Sequence, residues 1–137
     1  MDIVTRFHSN RAEELAELNQ QLILDEEHSN PMSVAELAVR MRGWLDTGYE
    51  CYGIERDGQI VCYSLWRDDT EHYYMRQLFT VAACRRQGLA RHLLSSLQAD
   101  VYDDKPVRLE VLAGNLDAQA FYKSMGYQLY CHTLIKT

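Results

Sequence analysis

The sequence contains little that would staple, anchor or tether it. Its four cysteines, Cys51, Cys62, Cys84 and Cys131, form no C-x-x-C pair and join no histidine at zinc-finger spacing. They read as reduced, mostly packed thiols in a cytoplasmic protein, and no metal is expected. No apolar run approaches the roughly 18 residues of a membrane span. The opening MDIVTRFHSNRAEE has no apolar stretch of the secretory kind, so neither export nor a membrane partner is expected. Two prolines and seven glycines make no long linker, and there is no repeat or low-complexity tract. Positive charge is scarce too: 14 Lys and Arg stand against 20 Asp and Glu, a formal net charge of −6. That balance argues against nucleic acid as a partner and mildly favours a neutral or cationic small molecule.

What is present is one domain's worth of chain, residues 1–137, with 47% hydrophobic residues. That is enough for a core without cross-links. Asp2 to His8 reads as a strand. Asn10-Arg-Ala-Glu13 has the form of a capping box, which predicts a helix from about Arg11 with Leu15, Leu18 and Leu22 on its apolar stripe. Ser33-Val-Ala-Glu36 is a second capping box, and Leu37, Met41, Trp44 and Leu45 follow at helical spacing, with Gly48 near the C-terminal glycine position. Two β-rich runs flank Asp57-Gly58, a strong hairpin signal. A third strand is predicted over 72–81, a helix over 88–101, a strand over VRLEVLAGN, a short helix over DAQAFYKSMG, and a final strand over YQLYCHTLI. The predicted order is β-α-α-β-β-β-α-β-α-β. Hairpins followed by a βαβ unit require a mixed sheet in an α/β fold.

One stretch stands out against the acidic background: CRRQGLARHLL, residues 84–94, which gathers three arginines around Gly88 and then turns helical. The first N–H groups of a helix have no intrahelical partner, and the helix dipole puts partial positive charge at the same end. A glycine there lets the backbone approach an anion closely. Arg85, Arg86 and Arg91 add formal charge. The stretch is not a Walker loop and lacks the G-x-G-x-x-G dinucleotide pattern. Taken alone, R-x-x-G-x-A is equally the pattern of a solvated loop.

The surrounding residues decide more. Arg85, Gly88 and Ala90 fit R/Q-x-x-G-x-G/A. Asn115, Ala118, Phe121, Tyr122, Gly126 and Tyr127 fit N-x-x-A-x-x-F-Y-x-x-x-G-F/Y. With both motifs in order over residues 76–127, the sequence resembles the GNAT superfamily of acyl-CoA-dependent N-acetyltransferases. The resemblance implies a mostly antiparallel sheet with a splayed parallel pair, flanked by helices, and acetyl-CoA as cosubstrate. It implies that Phe79, Thr80 and Val81 offer backbone to the pantetheine arm, that the amides of Arg86, Gln87, Gly88, Leu89, Ala90 and Arg91 receive the diphosphate, and that Asn115 holds the arm or orders its turn. It makes Tyr122 the general acid for the departing thiol. Glu110, in the string L-E-V, matches a proposed base of ribosomal-protein Nα-acetyltransferases in the superfamily, although strand alternation also allows it to face water. His72 and Tyr74 are alternatives acting through water.

The implied acceptor is a small-molecule amine or a peptide N-terminus. The acidic run Asp25-Glu26-Glu27 could attract its ammonium group, although such a run is equally a solvated helix end. Tyr49, Trp44 and Tyr52 could line its pocket. A similar D-E-x-H-x-N-P-M-S string occurs in GNAT members of undefined substrate. Members of the family often form dimers, and the last strand or an exposed sheet edge could pair two copies into a homodimer. The competing class is an acyl-CoA-binding sensor or scaffold without turnover.

Overall fold

A computed structural model describes residues 2–26 and 30–137. The sheet begins with β1 (Val4–Phe7), continues through β2 (Tyr49–Arg56), β3 (Gln59–Asp68) and β4 (Tyr73–Thr80), and ends with β5 (Val107–Arg108). The strands lie in sequence order; the first four are antiparallel and β5 joins β4 in parallel. Helices α1 (Ala12–Asp25) and α2 (Val34–Asp46) cover one face, and α3 (Leu89–Asp100) covers the other. A fourth helix, α4 (Leu116–Ser124), follows β5. Among the described residues no helix is long and apolar enough to cross a membrane.

Local chemistry accounts for the boundaries. The β2–β3 turn has Asp57 at φ 54° and Gly58 at φ 78°, the two left-handed residues of a type I′ hairpin. Ser33 and Glu36 form the reciprocal capping box that starts α2. The box expected at Asn10 does not form. Residues Ser9–Arg11 make a 3-10 turn instead, and no side chain caps α1. Glu13 pairs with Arg42, and Arg11 turns to Glu14 and Glu55. A long-range ion pair has taken Glu13, the residue that would have closed the box.

Two further expectations are corrected. The strand predicted from Val107 stops at Arg108, so β4 and β5 pair at only two positions, Tyr73 with Val107 and Tyr74 with Arg108. The closing strand over YQLYCHTLI is absent: residues 127–137 have no regular structure, and Leu129, Tyr130, Leu134 and Ile135 are exposed. Their β-rich alternation has no strand to pair with, because the β5 that would receive it is itself cut short.

The β3–β4 pairing carries one irregularity. Leu65 pairs with Gln77 and Trp66 pairs with Met75, which leaves Arg76 unopposed as a β-bulge. A bulge shifts side-chain parity by one residue. Phe79 and Gln77 therefore face α1 and α2, where the Tyr63 hydroxyl donates to Gln77 Oε1 at 2.7 Å. Met75 and Tyr73 face α3. Arg76, between them, turns to the α1–α2 face and lies over the Trp44 ring, 4.6 Å from its centroid.

Gly53 on β2 is required by close packing. A Cβ there would stand 2.1 Å from the Cys62 carbonyl oxygen and 2.6 Å from the Phe7 ring. Replacing Gly53 with Ala should cost at least the roughly 1–3 kcal/mol typical of overpacking, read as a lower urea midpoint at unchanged m-value.

Candidate active site

Beyond Tyr74 the outer edge of β4 has no strand partner, and the chain after β5 runs away from it. A cavity of about 720 Å³ opens in the gap. Phe79 and Thr80 line it from β4, Glu110 and Val111 from the segment after β5, and Asn115 and Tyr122 from the start and middle of α4. The loop from Cys84 to Arg91 closes one end.

That loop is shaped for an anion. Gly88 caps α3 in the left-handed conformation, φ 77° and ψ 15°, and Arg86 is left-handed as well at φ 64°. Among the described residues, none of the backbone N–H groups from Arg86 to Arg91 bonds to a backbone carbonyl of the chain. Unpaired amides at a helix N-terminus, in a loop with left-handed turns, are the arrangement that receives phosphate oxygens. A Cβ built on Gly88 would meet no protein atom within 4 Å, so the space above it is open to a ligand. The side chains are less uniform than the sequence implied. Arg85 is committed within the fold: it donates to the Thr80 carbonyl at 2.9 Å and to Asp25 at 2.5 Å. Gln87 accepts from Arg56 at 2.7 Å. Leu89 is core, and Arg91 donates to Ser124 Oγ at 2.7 Å.

Tyr122 faces the cavity, with Phe121 and Tyr127 set edge-on to its ring. Burial, with smaller contributions from Tyr127 and Glu26, raises its pKa and keeps the phenol protonated. Asn115 works within the fold, where its side chain accepts from the Ala118 N–H at 3.2 Å and caps α4. Glu110 is exposed to the cavity and accepts a hydrogen bond from the Tyr74 hydroxyl at 3.0 Å. Val81, just past the end of β4, does not line the cavity, and its N–H donates to the Val61 carbonyl at 2.9 Å.

The acceptor-side expectations divide. Glu26 lines the cavity, whereas Glu27 lies outside the described residues. Asp25 is held by Arg85. Tyr49 is buried beside the cavity rather than lining it, and its hydroxyl accepts from Arg67 at 2.6 Å. Tyr52 stacks on Trp66 on the opposite face of the sheet, away from the site. Arg76 lines the cavity, a position that the sequence pattern does not single out. Alternation from Met75 puts it on the α1–α2 face, but nothing in the strand pattern marks it as a ligand-facing position. Among the described residues no group of three or more His, Cys, Asp or Glu is placed to hold a metal ion.

The GNAT acetyltransferase domain model matches residues 11–133. The chain belongs to the GNAT acetyltransferase family. Solved structures with this fold include a possible acetyltransferase from Clostridium difficile 630 (16% identity, TM-score 0.78, covering 99% of both chains). A second is a ribosomal-protein-alanine N-acetyltransferase from Brucella melitensis biovar Abortus 2308 (14% identity, TM-score 0.76, covering 100% of this chain and 99% of that one). A third is an aminoglycoside N-acetyltransferase in complex with CoA (11% identity, TM-score 0.81, covering 100% of this chain and 94% of that one). No curated protein matches the chain. The mixed sheet with its diverging parallel pair is thus the GNAT fold, and the cavity lies in that divergence.

The tyrosines of this GNAT chain give its stability a pH dependence. Burial raises the pKa of Tyr63, Tyr102, Tyr122 and Tyr127 above the ordinary value of 10.0. The folded state holds these protons more tightly than the unfolded chain, so the stability they contribute is complete below pH 10.0 and declines as pH rises past it. The urea midpoint should fall above that pH, and Tyr122→Phe should flatten the fall.

Proposed function

We propose that this chain, acting as a single domain over residues 1–137, transfers an acetyl group from acetyl-CoA to a primary amine of a small molecule or a peptide N-terminus by direct attack. The observation that carries the reading is one cavity bordered by the unbonded amides of residues 86–91, the open edge of β4 and the protonated Tyr122. Both named relatives of known activity acetylate amines, which supports the reaction class, and one was solved with CoA.

Acetyl-CoA, when bound, supplies the acetyl group as an activated thioester. The loop amides and Gly88 hold its diphosphate, and the outer edge of β4 leading to Thr80 pairs with its amide-bearing arm as a strand would. Asn115 fixes the turn that carries Tyr122 into the cavity. Tyr122 holds a proton on its hydroxyl oxygen for the departing thiolate. The acceptor presents the opposite problem. An alkylammonium with a pKa near 10 is only about 0.1% free base at neutral pH. Glu110 receives that proton, directly or through water, and the Tyr74 hydroxyl steers its carboxylate.

The chemistry separates from the binding by mutation. Tyr122→Phe should lower kcat about 10²-fold or more, the scale of general acid catalysis, with acetyl-CoA affinity nearly retained. Unchanged turnover would remove Tyr122 from the chemistry. Gly88→Val should abolish acetyl-CoA binding in calorimetry, because its side chain fills the approach to the amides and disfavours the φ of 77°. Glu110→Gln should remove the acidic limb of the pH profile of kcat/KM, and an unaltered profile would move the base elsewhere. Acetyl-CoA binding without thiol release for any amine would make the chain a binding module instead.

A further inference from the structure

Among the described residues, carboxylates pair with seven of the 14 Lys and Arg of this acidic chain. Arg6, Arg11, Arg42, Arg56, Arg67, Arg85 and Lys105 all sit in ion pairs. Among the described residues no ion pair engages Arg40 or Arg76. Yet these two share one aromatic ring: the Arg40 guanidinium lies 4.4 Å and that of Arg76 4.6 Å from the Trp44 centroid. Arg40 Nη2 donates to the neutral Asn19 Oδ1 at 3.2 Å, and its buried Nε has no partner. Among the described residues Arg76 hydrogen-bonds only to the Tyr49 hydroxyl, at 3.4 Å, and it is exposed and lines the cavity.

Two like charges held together in a partly buried place are unfavourable. Burial first, and then the field of Arg76, lowers the Arg40 pKa. The fold nonetheless keeps the arrangement: alternation from Met75 puts Arg76 on the α1–α2 face, and the β-bulge adds Gln77 to that same face beside it. Arg86 and Arg91, the loop arginines facing the same cavity, lie at the end assigned above to the diphosphate. Arg76 stands apart from them on β4, two residues from Tyr74, whose hydroxyl donates to Glu110 at 3.0 Å.

We infer that the acceptor is a primary amine that also carries a carboxylate, an amino acid or a close relative, with Arg76 binding the carboxylate, Arg40 and Trp44 supporting Arg76, and Glu110 facing the amine. This rests on the acetyltransferase reading and names the substrate class of that same site. A guanidinium fork matches a carboxylate in a bidentate way, while the carboxylate of Glu110 suits the ammonium end. A polycationic acceptor such as an aminoglycoside would meet like charge at Arg76.

The test compares matched acceptors on the full chain. The standard amino acids, their carboxamides, the corresponding decarboxylated amines, O-phosphoethanolamine and an aminoglycoside are assayed for thiol release from acetyl-CoA. Binding of the same compounds to the CoA-saturated protein is measured by calorimetry. The inference predicts at least one amino acid preferred over its carboxamide and its decarboxylated amine, in kcat/KM and in binding. Arg76→Gln should raise KM for that amino acid about ten- to hundredfold, the worth of a hydrogen bond to a charged group, with kcat little changed. The preference over the carboxamide should vanish with it. Arg76→Lys should restore part of the affinity. Acetyl-CoA affinity should be the same in all variants. The inference is overturned if decarboxylated amines or the aminoglycoside are used as well as or better than every amino acid, or if Arg76→Gln leaves the preference intact. A preference for O-phosphoethanolamine over all the carboxylates overturns it in favour of a phosphorylated amine. In each of these outcomes retained acetyl-CoA binding leaves the acetyltransferase reading standing; loss of binding in the unmodified protein would sink that reading itself.

Discussion

The structure depends on where β4 loses its partner. Among the described residues its outer edge has no neighbouring strand after Tyr74, so main-chain donors and acceptors there lack the ladder partners a strand would supply. Native sheets usually cover or blunt such an edge. Here the edge becomes the wall of a cavity. The same divergence sets the chain after β5 far enough away for Glu110, Asn115 and Tyr122 to face Phe79 and Thr80 across a gap. It also lets the loop into α3 close one end with its amides unbonded. A full-length β5 would pair those edges and leave no room for a ligand.

Electrostatics then differentiates the ends of the gap. A chain of net charge −6 has carboxylates in excess, and it uses them to tie down arginines whose role is structural. Arg85 illustrates this. It sits in the cation-rich loop, but Asp25 and the Thr80 carbonyl hold it, joining the end of α1 to the end of β4 and its loop. Neutralising that arginine also removes Asp25 from any role in attracting an ammonium group. Among the described residues, the cavity-lining arginines without a carboxylate partner are Arg86 and Arg91 at the loop and Arg76 at β4, and on the proposed reading these are where negative charge would be received. Tyr122 is kept uncharged between them by burial.

Features governed by short-range chemistry were legible in the sequence. Asp57-Gly58 demands a turn with two left-handed residues, and Ser33 and Glu36 satisfy each other within one helical turn. The two ordered motifs placed the loop, α4 and the family. Features governed by pairing between distant segments were not legible. The Asn10 capping box lost Glu13 to an ion pair with Arg42, which is remote in sequence. YQLYCHTLI has the alternation of a strand, but a strand needs a partner, and β5 ends at Arg108. HYYMRQLF reads as regular alternation, so the bulge that puts Arg76 and Gln77 on one face could not be seen until Leu65 and Trp66 were set against it. Tyr49 and Tyr52 looked interchangeable as pocket residues, yet strand register puts them on opposite faces.

The central claim is that main-chain amides, more than arginine side chains, take the diphosphate of acetyl-CoA. Residue-resolved amide hydrogen exchange, with and without saturating acetyl-CoA, tests it most directly. The account predicts strong slowing confined to residues 86–91 and to the outer edge of β4 from Gln77 to Thr80. Exchange at residues 86–91 that stays unchanged under saturation would contradict it.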